Sequence, residues 1–72
     1  MNAYKNLGGN SGVRAFSIGE SYIDVQFNSG AVYRYSYKSA GIEKVEHMKR
    51  LAMQGHGLNS YIMCYAKMDY ER

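Results

Sequence analysis

The sequence predicts an α+β fold: a three-stranded antiparallel β-meander followed by two α-helices packed on one face. Three observations carry this. Residues 22–27, Tyr-Ile-Asp-Val-Gln-Phe, alternate cleanly, with Ile23, Val25 and Phe27 on one face and Asp24 and Gln26 on the other. Asn28-Ser29-Gly30 then reads as a three-residue hairpin loop, leading into a second aromatic-rich strand over 31–37. From Ile42 onward the apolar spacing changes to three and four residues, the period of a helix.

Each element can be justified in chain order. Residues 1–12 hold Gly8, Gly9 and Gly12 among Asn6, Asn10 and Ser11, and read as a flexible N-terminal segment before a single domain over 13–72. Val13–Ile18 is a short strand candidate, and Gly19-Glu20-Ser21 a turn. The hairpin loop sets a register in which Phe27 faces Ala31, Val25 faces Tyr33 and Ile23 faces Tyr35. The same register puts Asp24 opposite Arg34, so apolar pairs and ion pair agree. Ile42, Val45, Met48, Leu51 and Ala52 form the stripe of a helix over 42–54, stopped by Gly55 and Gly57. Asn59 is placed to cap a second helix over 59–68, with Leu58 as a staple just outside. That helix should bury Ile62, Tyr65 and Met68 or Cys64. Three strands covered by two helices hide both stripes.

With 72 residues the chain makes one small domain, of a size that buries only about 60% of its unfolded surface. One cysteine excludes an intrachain disulfide, and with two histidines a structural zinc site within the chain is not expected. A tight core or self-association is left to support so small a domain, and five Met and eight Tyr suit adaptable or aromatic interfaces, so a homo-oligomer is expected. No apolar run reaches the roughly 18 residues of a membrane span, and the opening residues lack the apolar core of a signal peptide; the expected location is cytoplasmic. The net charge of +3 divides evenly, +1 each over residues 1–21, 22–41 and 42–72, a mild bias toward anionic partners rather than a nucleic-acid-coating arm.

The chemistry-bearing residues point away from catalysis. Cys64 falls within a predicted helix with no histidine beside it and reads as a buried structural thiol. His47 lies on the charged side of the first helix. Asp24, Glu43, Glu46, Asp69 and Glu71 form no ligand or acid/base pattern, and neither enzyme activity nor a cofactor is expected. Binding fits better. Gly55-His56-Gly57-Leu58-Asn59 is a glycine-flanked turn entering a helix, whose free N–H groups suit phosphate; His56 can donate to a ligand or stack on a base. The plainer reading is a helix stop followed by a cap. Gly8–Gly12 offers backbone amides but lacks the Lys-Ser/Thr of a Walker loop. Tyr33, Tyr35 and Tyr37 share a strand face, where Tyr61 and Tyr65 are expected to meet them, as a tyrosine-rimmed pocket or a tyrosine-rich core. Tyr22 and Arg34 lie on the other face and can serve a partner surface.

Tyr33-Arg34-Tyr35 after the hairpin glycine resembles the central Tyr-x-Tyr of the KTSC domain, named for the C-terminus of some lysyl-tRNA synthetases and also found as small free-standing proteins, including phage ones. Gly55-x-Gly57-Leu58-Asn59-x-x-Ile62-x-x-Tyr65 is similar to that family's final segment, and Asn10-Ser11-Gly12-Val13 falls where the family has Ser-Ser-Asn-Ile. The likeness spans about residues 10–70. It departs from the family at Lys38-Ser39, where Val-Pro is common, at Leu58, where an aromatic precedes Asn, and at Tyr65-Ala66, in place of Tyr-Pro. The resemblance implies either a small RNA-binding module or, from the phage members, a viral immune-evasion protein that soaks up a host nucleotide signal in the host cytoplasm. With the charge spread evenly, the expectation is a non-catalytic binder of an anionic nucleotide such as a cyclic dinucleotide. A structural or protein-interaction domain is the alternative. The expected site combines Asn10, Ser11, Gly12 and Val13, the turn residues His56, Gly57, Leu58 and Asn59, the phenols of Tyr33 and Tyr35, and the strand cations Arg14 and Arg34. Arg14 is expected on the side of Phe16.

Overall fold

A computed structural model of the chain describes residues 1–9 and 11–72. It is an α+β fold with an antiparallel sheet in the order β1-β2-β3-β4, formed by Asn2–Ala3, Val13–Ile18, Tyr22–Phe27 and Val32–Ser36. Helix α1 (Tyr37–Ala40) follows, then α2 (Ile42–Gln54) and α3 (Leu58–Tyr61), which runs on as a π-helical stretch, Ile62–Ala66.

The β3–β4 hairpin has the predicted register, with Ile23 opposite Tyr35, Val25 opposite Tyr33 and Asp24 opposite Arg34. Arg34 Nε donates to Asp24 Oδ1 at 2.8 Å and Nη2 to Oδ2 at 3.0 Å, the two-pronged geometry that locks a carboxylate to a guanidinium. That hydrogen bonding strengthens Arg34's hold on its proton. On the core face, Ile23, Val25 and Tyr35 are buried against Val45, Met48 and Ala52 of α2 and against Leu58, Ile62 and Ala66 beyond it.

Several expectations are corrected. The N-terminal segment, read as flexible, supplies a fourth strand: Asn2 pairs with Phe16 and Ala3 with Ala15, and Tyr4 is buried. The strand expected to reach Tyr37 stops at Ser36, because Ser36 and Ser39 form a reciprocal capping box that turns the chain into α1. Arg14 does not share a side with Phe16. A register shift between Val13 and Ala15 places an extra residue in β2, so Val13 and Phe16 are both buried while Arg14 stays exposed and donates to the Asn28 carbonyl at 3.1 Å.

The second helix also differs. Its start is set by Gly55 and Gly57, both in left-handed conformation with φ of 80° and 85°, a region that L side chains adopt at a cost. Asn59 is therefore inside the first turn rather than its cap, and Gly57 holds the cap position without a side-chain bond. The wider π-helical turn lengthens the repeat, so residues four apart, Leu58, Ile62 and Ala66, line up on the core. Tyr65, Met68 and Cys64, expected inside, face solvent. Ile42, assigned to the first helix's buried stripe, is likewise exposed at the helix start. Beyond the π-helical stretch the chain runs back along β4: Glu71 N–H donates to the Arg34 carbonyl at 2.7 Å and Tyr70 packs on Tyr33 and Tyr35. This last segment covers part of an otherwise open sheet edge.

Candidate functional site

A polar cleft of about 360 Å³ opens between the N-terminal segment and the turn after α2. One wall is Tyr4, Asn6, Gly8 and Ser11; the other is Gly55, His56, Gly57, Asn59 and Ser60. The size falls in the usual range for small-molecule sites.

Local hydrogen bonds build each wall. Tyr4 N–H donates to Arg14 O at 2.9 Å, tying the residues after β1 to β2. Leu7 N–H donates to Gly55 O at 2.8 Å, which brings the two walls together. Gly9 N–H reaches Asn6 O, and Ser11 N–H reaches the Asn6 side-chain Oδ1 at 3.0 Å, closing the loop between them. Ser11 Oγ accepts from Val13 N–H, and Asn28 donates from its backbone N–H to Gly12 O and from Nδ2 to Ser11 O. The deepest link joins residues 54 apart: the buried Leu58 N–H donates to Tyr4 Oη at 3.2 Å. The first N–H groups of a helix have no partner within it, and the phenol supplies one here. Among the described residues, no acceptor is paired with the phenolic proton of Tyr4.

The chemistry of the cleft is that of a neutral to weakly cationic donor surface. Among the described residues no carboxylate lines it, and Lys5 stands beside Gly55 at its rim. His56 is exposed, Asn59 half-buried, and neither side chain is hydrogen-bonded to the described residues. Donors without partners or a competing anion among the described residues suit an anionic or strongly polar ligand.

Of the expected site residues, Ser11, His56, Gly57 and Asn59 come together here, with Gly12 close behind the Asn59 side chain. Asn10 lies outside the described residues. Val13 and Leu58 are core residues, so only the Leu58 backbone belongs to the site. The other four do not join the cleft. Arg14 is held at Asn28, on the outer rim of the β3–β4 loop. Arg34 is on the opposite face of the sheet, paired with Asp24 and stacked at 3.9 Å over the Tyr22 ring. Tyr33 and Tyr35 line a separate groove with Phe27, Met63 and Tyr70, which shares no lining residue with the cleft. Burial pushes the Tyr35 phenol up to about 12, helped by the nearby Tyr33, Tyr70 and Asp69.

Tyr61 and Tyr65 do not meet those strand tyrosines. Tyr61 stacks on His47 at 4.5 Å between ring centres and on Tyr65 at 5.2 Å. His47, expected to be exposed, is half-buried by that contact, and its Nδ1 accepts from Arg50 at 3.3 Å. Tyr37 leaves the strand face, and its hydroxyl donates to Glu46, which also pairs with Lys49. The lysine first and the phenol second hold the Glu46 carboxyl below its ordinary range, and the same hydrogen bond raises the Tyr37 phenol.

Sequence reasoning missed Tyr4, Asn6 and Ser60 as cleft residues, and offered Gly8 only as part of a glycine-rich run with free backbone amides. The one signal that could have found Tyr4 is its aromatic side chain alone in a polar, glycine-rich stretch.

Comparison with protein-family models, with curated proteins and with solved structures finds no match. Among the described residues, no helix is long and apolar enough to cross a membrane.

Proposed function

We propose that the chain binds an anionic nucleotide without turning it over, in the manner of a sponge for a cyclic dinucleotide or related signal. One observation carries the reading: a polar cleft of about 360 Å³ lined by Tyr4, His56, Asn59 and Ser60, with no carboxylate among its described lining residues. Phosphate oxygens would accept from Tyr4, Asn59 and Ser60, and the exposed imidazole of His56 would donate or stack on the base. The tyrosine groove is not needed for this. The sequence resemblance to KTSC domains points to the same class of ligand.

Calorimetry against cyclic di- and trinucleotides, ADP-ribose-type signals, tRNA and single-stranded RNA tests the reading. Saturable binding of one small nucleotide, weakened in H56A and N59A and released intact on heating, supports it. Affinity for RNA alone, falling steeply with salt, would replace it with an RNA-binding module. No binding at all would favour a protein-interaction role. Self-association belongs to the same proposal, supported by exposed Leu7, Met53, Met63 and Tyr65; light scattering that shows only the 8.2 kDa species at micromolar concentration overturns that part.

A further inference from the structure

We infer that Gly8 and Gly12 are positioning residues of this cleft, whose missing side chains set where the His56 imidazole and the Asn59 amide stand. The inference rests on the cleft being the nucleotide site. Neither glycine has the left-handed φ that would by itself call for glycine. What excludes a side chain is space. A Cβ on Gly8 would lie 3.3 Å from His56 Nδ1 and 3.5 Å from its Cε1. A Cβ on Gly12 would lie 3.0 Å from Asn59 Oδ1 and 3.5 Å from its Cγ. Both contacts are tighter than ordinary carbon–heteroatom packing, so one side must give.

The hydrogen bonds decide which side. Gly8 is bracketed by Leu7 N–H on Gly55 O at 2.8 Å and Gly9 N–H on Asn6 O at 2.9 Å. The Gly12 carbonyl accepts from Asn28 N–H at 2.8 Å, and Ser11 beside it is held on both sides. The glycine wall is thus fixed through its backbone. His56 and Asn59 face it as side-chain ends with no hydrogen bond to the described residues, so an added methyl displaces them rather than the wall. Each glycine controls one of the two side chains proposed to meet the ligand, and neither need touch the ligand itself.

The test uses G8A and G12A, the double variants G8A/H56A and G12A/N59A, and two probes, cyclic di-GMP and 5′-GMP. Each glycine variant is expected to weaken probe binding about tenfold, the scale of one misplaced hydrogen bond. In the double variants the glycine change should add nothing to the loss from H56A or N59A; additive losses overturn the inference, since a merely structural glycine acts independently. Three-bond NMR couplings that report χ1 give a readout without ligand. They should change for His56 in G8A and for Asn59 in G12A, each alone. Unchanged couplings, with amide shifts spread over residues 6–13, would show that the wall had moved and overturn the inference. If G12A fails to fold, recovery of folding in G12A/N59A supports it and no recovery overturns it. If the wild type binds neither probe, the nucleotide reading fails for them, while the couplings still decide the placement.

Discussion

Replacing Tyr4 with Phe removes one oxygen and keeps the ring. The ring is buried, so its apolar contacts with the core stay in place. What is lost is the acceptor for Leu58 N–H, a donor on a residue with no exposed surface. An orphaned buried amide costs about 1–3 kcal/mol. A domain of 72 residues has total stability on the order of 4–11 kcal/mol, so the loss is a large share of it. At about 4–8 °C per kcal/mol for a domain of this size, the melting temperature should fall by roughly 4–24 °C. Circular dichroism melts, backed by urea titration, measure this directly. A Tyr4→Phe protein that melts within about 2 °C of the wild type would refute the reasoning, because the amide would then have found water through the cleft.

Four further outcomes are expected. Asn59→Ala should change stability by less than about 0.5 kcal/mol in urea titration, since Asn59 caps nothing; a loss nearer 1 kcal/mol would restore the cap reading. Met48→Ala should cost about 2–5 kcal/mol and leave the protein near its unfolding threshold in the same assay, because the Met48 side chain is fully buried under the sheet. Stability should fall as pH rises from about 10 to about 12: the unfolded Tyr35 phenol ionises near 10, the folded one near 12, so alkali favours the unfolded state across that window. Tyr35→Phe should flatten this alkaline loss in pH-dependent melts, and an unchanged profile would count against it. A ligand held in the cleft at a hundred times its Kd should add about 2.7 kcal/mol to stability in a thermal-shift screen, and the shift should shrink in H56A.

Local pattern was enough for the elements whose neighbours in space are neighbours in sequence. The β3–β4 hairpin was legible because Ile23, Val25, Tyr33, Tyr35, Asp24 and Arg34 all specify one register, and α2 because its stripe runs unbroken from Val45 to Ala52. Where one residue could serve two structures, the pattern failed. Ser36 reads as leading the strand on to Tyr37 until Ser39 is seen to form a capping box with it. Arg14 reads as alternating with its neighbours until the extra residue in β2 is known. Tyr65 and Met68 fit a regular helix, but the π-helical turn brings Ala66 to the core instead and leaves both outside.

The cleft was only half legible, for a different reason. Gly55-His56-Gly57 marks a turn by itself, and its conformation follows from the chain chemistry there. The facing wall comes from residues 4–11, and what places it is the Tyr4–Leu58 bond and the Leu7–Gly55 bond, each linking the two ends of the chain. Glycine and asparagine over that stretch signal conformational freedom, and nothing local says that the freedom is removed by distant partners. The consequence is physical as well as interpretive. Closing a loop of some fifty residues costs chain entropy that only the assembled core can offset, so this site exists only in the folded state and not in any fragment. A ligand that spans both walls would therefore add to the Tyr4–Leu58 and Leu7–Gly55 bonds that hold the first residues of the chain in place.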